Sequence, residues 1–229
     1  MPKEKIKDYS TKYLIDMLSS QSGLYGLFAN PGFGATTFSM QIARAVVDIT
    51  GGTAIAFSLD LSKEQWCTRM RSIGLSLDRF FVEDYPCPTD QMIEETIKNT
   101  ENVRIVVIDY LELLDENIWE KLSDIAKQYA IPILICGHLS RNSGDFDPNH
   151  RPELYSVKAL FEPPFKSRWR AQFAFLALLH RNHDCDRGIG TAHHYNISNK
   201  TELIVKHNEF GQLGSLFFEW DEQKKCFKI

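Results

Sequence analysis

Apolar and polar positions change period repeatedly along this chain, and the changes mark out its elements. Residues 24–29 are a short apolar run that enters a glycine-rich turn, and residues 36–48 follow with helical spacing. Residues 53–59 read as a buried strand and 63–73 as a helix. Residues 104–109 are another buried strand, followed by a helix over 119–129 and strands over 131–136 and 172–180. Strands separated by helices of this length predict βαβ units and a mainly parallel sheet with helices on both faces. The character then changes. Residues 201–206, 215–220 and 225–229 are short strands joined by a glycine-containing loop and the polar turn 221–224, so the sheet is expected to end in an antiparallel hairpin. In the first 22 residues Tyr13, Leu14, Met17 and Leu18 recur at helical spacing. The expected organisation is a helical or linker segment, 1–22, followed by one α/β domain, 23–229. The proline-bearing stretch 142–164 has few apolar residues and is the best candidate for a long functional loop.

Composition narrows this picture. Across 229 residues, 43% are hydrophobic and 24% charged, with 26 Lys+Arg against 30 Asp+Glu for a net charge of −4. That is ordinary for one globular domain, and the mild acidity argues against a wholesale polyphosphate-coating protein while leaving room for a local basic groove. No apolar run reaches the roughly 18 residues of a membrane span. The basic N-terminus has no apolar stretch behind it, so a secretory signal is not expected. The five cysteines are scattered and odd in number, which fits a reducing cytoplasm better than a disulfide framework.

The most informative segment is Leu24-Tyr-Gly-Leu-Phe-Ala-Asn-Pro-Gly-Phe-Gly-Ala-Thr-Thr37. A strand, a glycine-rich turn and a helix opening on Thr-Thr present backbone N–H groups to a phosphate. The phosphate-loop frame G-x-x-x-x-G-K-[ST] falls on Ala29 to Thr36, with Gly34 in the second glycine place and Thr36 where a hydroxyl meets Mg²⁺. The lysine place is Ala35. On this segment alone a plain strand-to-helix turn is an equal reading. Arg104-Ile-Val-Val-Ile-Asp-Tyr-Leu-Glu-Leu-Leu114 adds an apolar strand ending in an acid, the arrangement in which Asp109 would hold Mg²⁺ through water.

With these residues together, the chain resembles the RecA-fold C-terminal domain of DnaB-type hexameric replicative helicases. Ala29-Asn-Pro-Gly-Phe-Gly-Ala-Thr36 is similar to the family's phosphate loop except at Ala35. Ala56-Phe-Ser-Leu-Asp-Leu61 resembles its Phe-Ser-Leu-Glu-Met strand end, and Ile108-Asp-Tyr-Leu-Glu-Leu113 its Ile-Asp-Tyr-Leu-Gln-Leu. Leu134-Ile-Cys-Gly-His-Leu-Ser-Arg141 resembles the sensor segment, and Arg151-Pro-Glu-Leu-Tyr-Ser-Val-Lys158 the DNA-loop segment. Leu178-Leu-His-Arg181 and Glu202-Leu-Ile-Val-Lys-His-Asn-Glu-Phe-Gly211 are similar to the closing strands. The resemblance implies a RecA-like P-loop NTPase fold. It also implies a nucleotide site at Asn30, Pro31, Gly32, Phe33, Gly34, Ala35, Thr36, Thr37 and Asp109, with Mg²⁺ on Thr36 and Asp109. Single-stranded DNA would meet Arg141, Arg151 and Lys158.

The departures from the family are chemical. The acid that polarises water is Asp60, one methylene shorter than the family's glutamate and so retracted by about 1.5 Å. The sensor glutamine is His138. The family's lysine and arginine that reach a neighbouring subunit's phosphates fall on His207 and Glu209, with Lys206 one place away. An arginine finger is worth about 10³–10⁵ in rate, and here that place carries the opposite charge.

The expected function is therefore a DnaB-like module for DNA binding or helicase-type assembly, with ATP and Mg²⁺ bound weakly or not at all. It would act as a homo-oligomer or beside a competent helicase. Two alternatives remain open: an active motor whose cation comes from Lys158, Lys206 or a partner chain, and a regulator that joins and caps a competent ring. Arg168, Arg170 and Arg181, with Phe165 and Trp169, are further phosphate- and base-contact candidates or a plain exposed segment. His180, His183, Cys185, His193 and His194 are dense soft ligands whose spacing matches no structural zinc pattern.

Overall fold

The computed structural model describes residues 11–114, 118–139, 151–157, 172–181 and 200–229. Within them the strands are β1 (Gly23–Ala29), β2 (Thr53–Ser58), β3 (Phe80–Glu83), β4 (Val103–Asp109), β5 (Pro132–His138), β6 (Phe173–Arg181), β7 (Lys200–Asn208), β8 (Gly214–Asp221) and β9 (Cys226–Lys228). They form one sheet in the order β3-β2-β4-β5-β1-β6-β7-β8-β9. From β3 to β6 every pairing is parallel, and from β6 to β9 every pairing is antiparallel. The expected C-terminal hairpin is present, and the antiparallel region reaches back to β6.

Among the described residues five α-helices cover the sheet: α1 (Thr11–Ser20), α2 (Ala35–Thr50), α3 (Lys63–Ser72), α4 (Asp90–Asn99) and α5 (Ile118–Gln128). Strand β1 is buried along its whole length, as a parallel strand covered on both faces must be. Its side chains alternate between two cores. Tyr25 and Leu27 join Phe38 and Ile42 of α2 and Trp66 of α3, whereas Leu24 and Phe28 join Ile93 of α4 and Leu122 of α5. Residues Leu14, Ile15, Met17 and Leu18 of α1 are buried in the first of these cores, so the helix predicted near the N-terminus lies against the sheet domain.

The elements not anticipated from sequence are β3 and α4. Strand β3 is a four-residue edge strand with one buried position, Val82, too short for a period to register. Helix α4 turns only Ile93 and Ile97 inward, and Thr89 caps it by accepting the Met92 N–H at 3.2 Å. Of the long loop 142–164, residues 151–157 are described and contain one 3₁₀ turn at Leu154–Ser156; the rest lies outside the described residues.

Leu18 is 2% exposed. We expect Leu18→Ala to lower stability to urea unfolding by about 2–5 kcal/mol, the cost of a buried leucine truncation. An unchanged midpoint would place α1 outside the cooperative unit.

Candidate functional site

Strand β1 delivers the chain into the turn 30–34, closed by the Phe33 N–H donating to the Asn30 carbonyl at 3.0 Å. Gly34 at the N-cap of α2 has φ 93° and no side-chain cap. That left-handed conformation favours glycine, and packing reinforces it: a Cβ there would lie 3.0 Å from the Phe227 ring and 3.3 Å from Trp220. The uncapped first-turn N–H groups of α2 form an anion-facing end. Asn30, Phe33, Ala35, Thr36 and Thr37 are all buried, and Pro31 is partly exposed.

Asp109 lies at the end of β4 and is fully buried. Neither carboxylate oxygen meets a hydrogen-bond donor among the described residues. The Thr36 hydroxyl donates instead to Tyr110 Oη at 3.3 Å. Burial is the main force on Asp109 and pushes its pKa up to about 7; the nearby Thr36 hydroxyl and Arg69 charge oppose it, while Asp60 and Glu112 add to it. A buried carboxylate beside a threonine hydroxyl at a glycine-rich turn is a donor set that fits Mg²⁺ with a phosphate. His138, at the end of β5, stacks on Tyr110 with ring centroids 4.2 Å apart, and its backbone N–H donates to the Glu112 carboxylate. Asp60 follows β2 and is exposed.

The turn opens on a cleft of about 390 Å³ lined by Asn30, Gly32, Gly34, Ala35, Thr36 and His138 from the sequence-predicted set. The cleft is also lined by residues that sequence reasoning did not place here: Arg69, Arg181, Trp220, Glu222 and Lys225. Arg181 lies over the Trp220 ring at 4.7 Å and pairs with Glu222, which also accepts from Lys225 Nζ at 2.8 Å. Arg69 Nη2 donates to Thr37 Oγ1 at 2.9 Å. The capping box at Ser62, where Gln65 N–H donates to Ser62 Oγ and Ser62 N–H to Gln65 Oε1, was a readable start for α3. Nothing in the pattern of α3 tells that Arg69 turns toward α2.

The structure places the other candidates away from the cleft. Arg151 donates to both Glu202 oxygens, at 3.0 and 2.8 Å, and to Ser215 Oγ at 3.2 Å. Lys206 pairs with Glu153, and His207 Nε2 lies 3.9 Å from Glu209. His180 is the described member of the soft-ligand set, its ring 6.3 Å from that of Phe33. Among the described residues no group of three metal-ligating side chains occurs, and no helix is long and apolar enough to cross a membrane. Arg141, Lys158, Arg168 and Arg170 lie outside the described residues.

No protein-family model matches the chain. A "Probable replicative DNA helicase" of Trieres chinensis is 26% identical over 177 residues, 57% of this chain and 39% of that protein. The protein of the same name from Guillardia theta is 24% identical over 228 residues, 81% of this chain and 37% of that protein. The "Replicative DNA helicase DnaB" of Mycoplasma pneumoniae is 27% identical over 148 residues, 58% of this chain and 30% of that protein. The chain thus spans between 30% and 39% of the length of these curated relatives. In solved structures, an ATPase domain matches with TM-score 0.72 and 17% identity over 90% of this chain and 84% of that one. A DnaB-like replicative helicase, solved for its interactions with primase, matches with TM-score 0.72 and 17% identity over 92% of this chain and 59% of that one. At that identity the two structures establish the RecA-like fold.

Two expectations follow. Asp109→Asn removes an unpaired buried charge, so in EDTA at pH 8 we expect it to raise stability to urea by about 1–3 kcal/mol; a loss of stability would mean the carboxylate has a partner. Glu202 is partly buried, which raises its pKa, but the hydrogen bonds from Arg151 and Ser215 outweigh burial and hold it below the usual value. A depressed folded-state pKa stabilises the fold above the unfolded value of about 4.3 and loses that effect as pH falls through the folded value. Glu202→Gln should therefore cost about 0.5–1 kcal/mol at pH 7 and converge with the wild type near pH 3. A gap that persists at pH 3 would make the effect one of packing.

Proposed function

We propose that this chain, by sequence and fold a RecA-like domain of the DnaB type, binds a nucleoside triphosphate with Mg²⁺ and does not turn it over at a motor's rate. The observation that carries this reading is the split at the glycine-rich turn. Thr36 lines the cleft and the orphaned Asp109 carboxylate is buried beside it, the two groups that would hold Mg²⁺, while the lysine place is Ala35, whose side chain carries no charge. When bound, Mg²⁺ supplies the positive charge that neutralises phosphate oxygens.

The chain's own groups do the rest of the binding. First-turn N–H groups of α2 face the phosphates, and Thr36 and Asp109 hold the cation. The hydrolytic groups point to slow chemistry. Asp60 is short and exposed, and His138 is stacked on Tyr110. The place of the family's arginine finger carries Glu209, beside His207, so this position offers a neighbouring subunit a carboxylate in place of a guanidinium. The module acts through helicase-type assembly, as a homo-oligomer or beside a competent helicase, in contact with single-stranded DNA. The names of its relatives as replicative helicases support that setting.

The test is calorimetric titration with Mg²⁺ and a non-hydrolysable ATP analogue, beside phosphate release in the presence of single-stranded DNA. We expect saturable binding and release below about 0.1 per second, two orders under an ordinary enzyme turnover of ~10 per second. Absence of binding would remove the nucleotide from the proposal. Release at ~10 per second would overturn the non-hydrolysing reading.

A further inference from the structure

We propose that Arg69 of α3 supplies the phosphate-facing cation that Ala35 removes from the glycine-rich turn. This inference rests on the nucleotide-binding reading above and names the residue that makes it workable.

Placement comes first. The capping box at Ser62 fixes where α3 begins, directly after β2. Arg69 then falls about two turns on and faces the first turn of α2, where Nη2 donates to Thr37 Oγ1 at 2.9 Å. It lines the same cleft as Gly32, Gly34, Ala35 and Thr36. The guanidinium therefore lies against the first turn of α2, two residues from the lysine place at Ala35.

Competition for the other cations decides between them. Arg181 and Lys225 also line the cleft, but both are held by Glu222, and Arg181 is further occupied by the Trp220 ring. Lys206 is outside the cleft and pairs with Glu153. Arg69 is the cleft cation whose contact is a neutral hydroxyl, with no carboxylate within ion-pair distance among the described residues.

The chemistry also suits the role. A guanidinium has five donors in a fixed fork, and the Thr37 contact uses one. The remaining donors can take two phosphate oxygens at once, whereas a loop lysine acts as a point charge. Thr37 holds the fork in position, so little side-chain freedom is lost on binding.

Calorimetric titration of the full chain with Mg²⁺ and the non-hydrolysable ATP analogue tests this, with a thermal melt of each variant to report folding. Arg69→Ala should weaken binding by about tenfold or more, the usual loss for a charge-assisted hydrogen bond. Arg69→Lys should recover part of that loss. Adding Ala35→Lys to Arg69→Ala should restore binding by returning the charge to the turn, which a merely structural role for Arg69 would not allow. Lys206→Ala should bind as the wild type does. Wild-type affinity in a folded Arg69→Ala variant would overturn the inference and leave the proposed function standing, and so would failure of Ala35→Lys to rescue. No binding by the wild type would overturn both.

Discussion

The site depends on the parallel register of β2, β4, β5 and β1, which sets Ser58, Asp109, Cys136 and Leu27 in one row across the sheet. Beyond that row the four chains leave the sheet on the same side, as carboxyl ends of parallel strands do. The result is that the glycine-rich turn, Asp109, His138 and Asp60 share one edge without any of them being close in sequence. Register also fixes the face. Asp109 shares its parity with Val107 and Ile105, which belong to the core under α2. A slip of one residue would aim it instead at the face covered by α4 and α5, where no glycine-rich turn waits.

That edge carries positive charge although the turn itself has none. The turn has an alanine in the lysine place, yet Arg69, Arg181 and Lys225 all reach the same cleft. Their states differ. Glu222 binds two of them through contacts within the β8–β9 turn and across to β6, so an incoming anion competes with a carboxylate for both. Arg69 is in ion-pair contact with no carboxylate among the described residues, and Asp109, whose carboxyl feels its charge, is fully buried. A cleft can therefore be rich in cations and still offer a phosphate chiefly one of them, which is why a count of basic residues says little about affinity.

The larger part of this architecture was readable as pattern. Strand β1, with its continuous apolar run, and α2, opening after Gly34, follow from period and turn chemistry alone. Helix α4 was missed although Thr89, Ile93 and Ile97 carry the cap and the spacing of a helix, because with two inward positions in ten residues its apolar stripe is faint. The site was less legible for another reason. Pattern shows which residues are on α3, but the rotation of Arg69 toward Thr37 is set by how α3 packs through Trp66 and Met70. The partnership of Glu222 with Arg181 joins positions 41 apart, which no local signal announces. The pairing of Arg151 with Glu202 of β7 joins positions 51 apart and was likewise not announced by any local signal.

A scaffold can outlive its chemistry, so the residues kept at the turn need separate explanations. Gly34 has a structural one, since its φ of 93° and the Phe227 and Trp220 rings beside it leave no room for a side chain. Phe33 has one too, being buried in the loop. Those features would stay in a domain that binds nothing. Asp109 has no such account. A fully buried carboxylate without a donor works against folding, and an apolar residue of similar size at the end of β4 would serve the core better. Its presence next to the Thr36 hydroxyl makes sense if something cationic is held there for part of the domain's working life. Asp109, more than the glycine pattern beside it, is therefore the residue on which the proposal of a bound ligand rests.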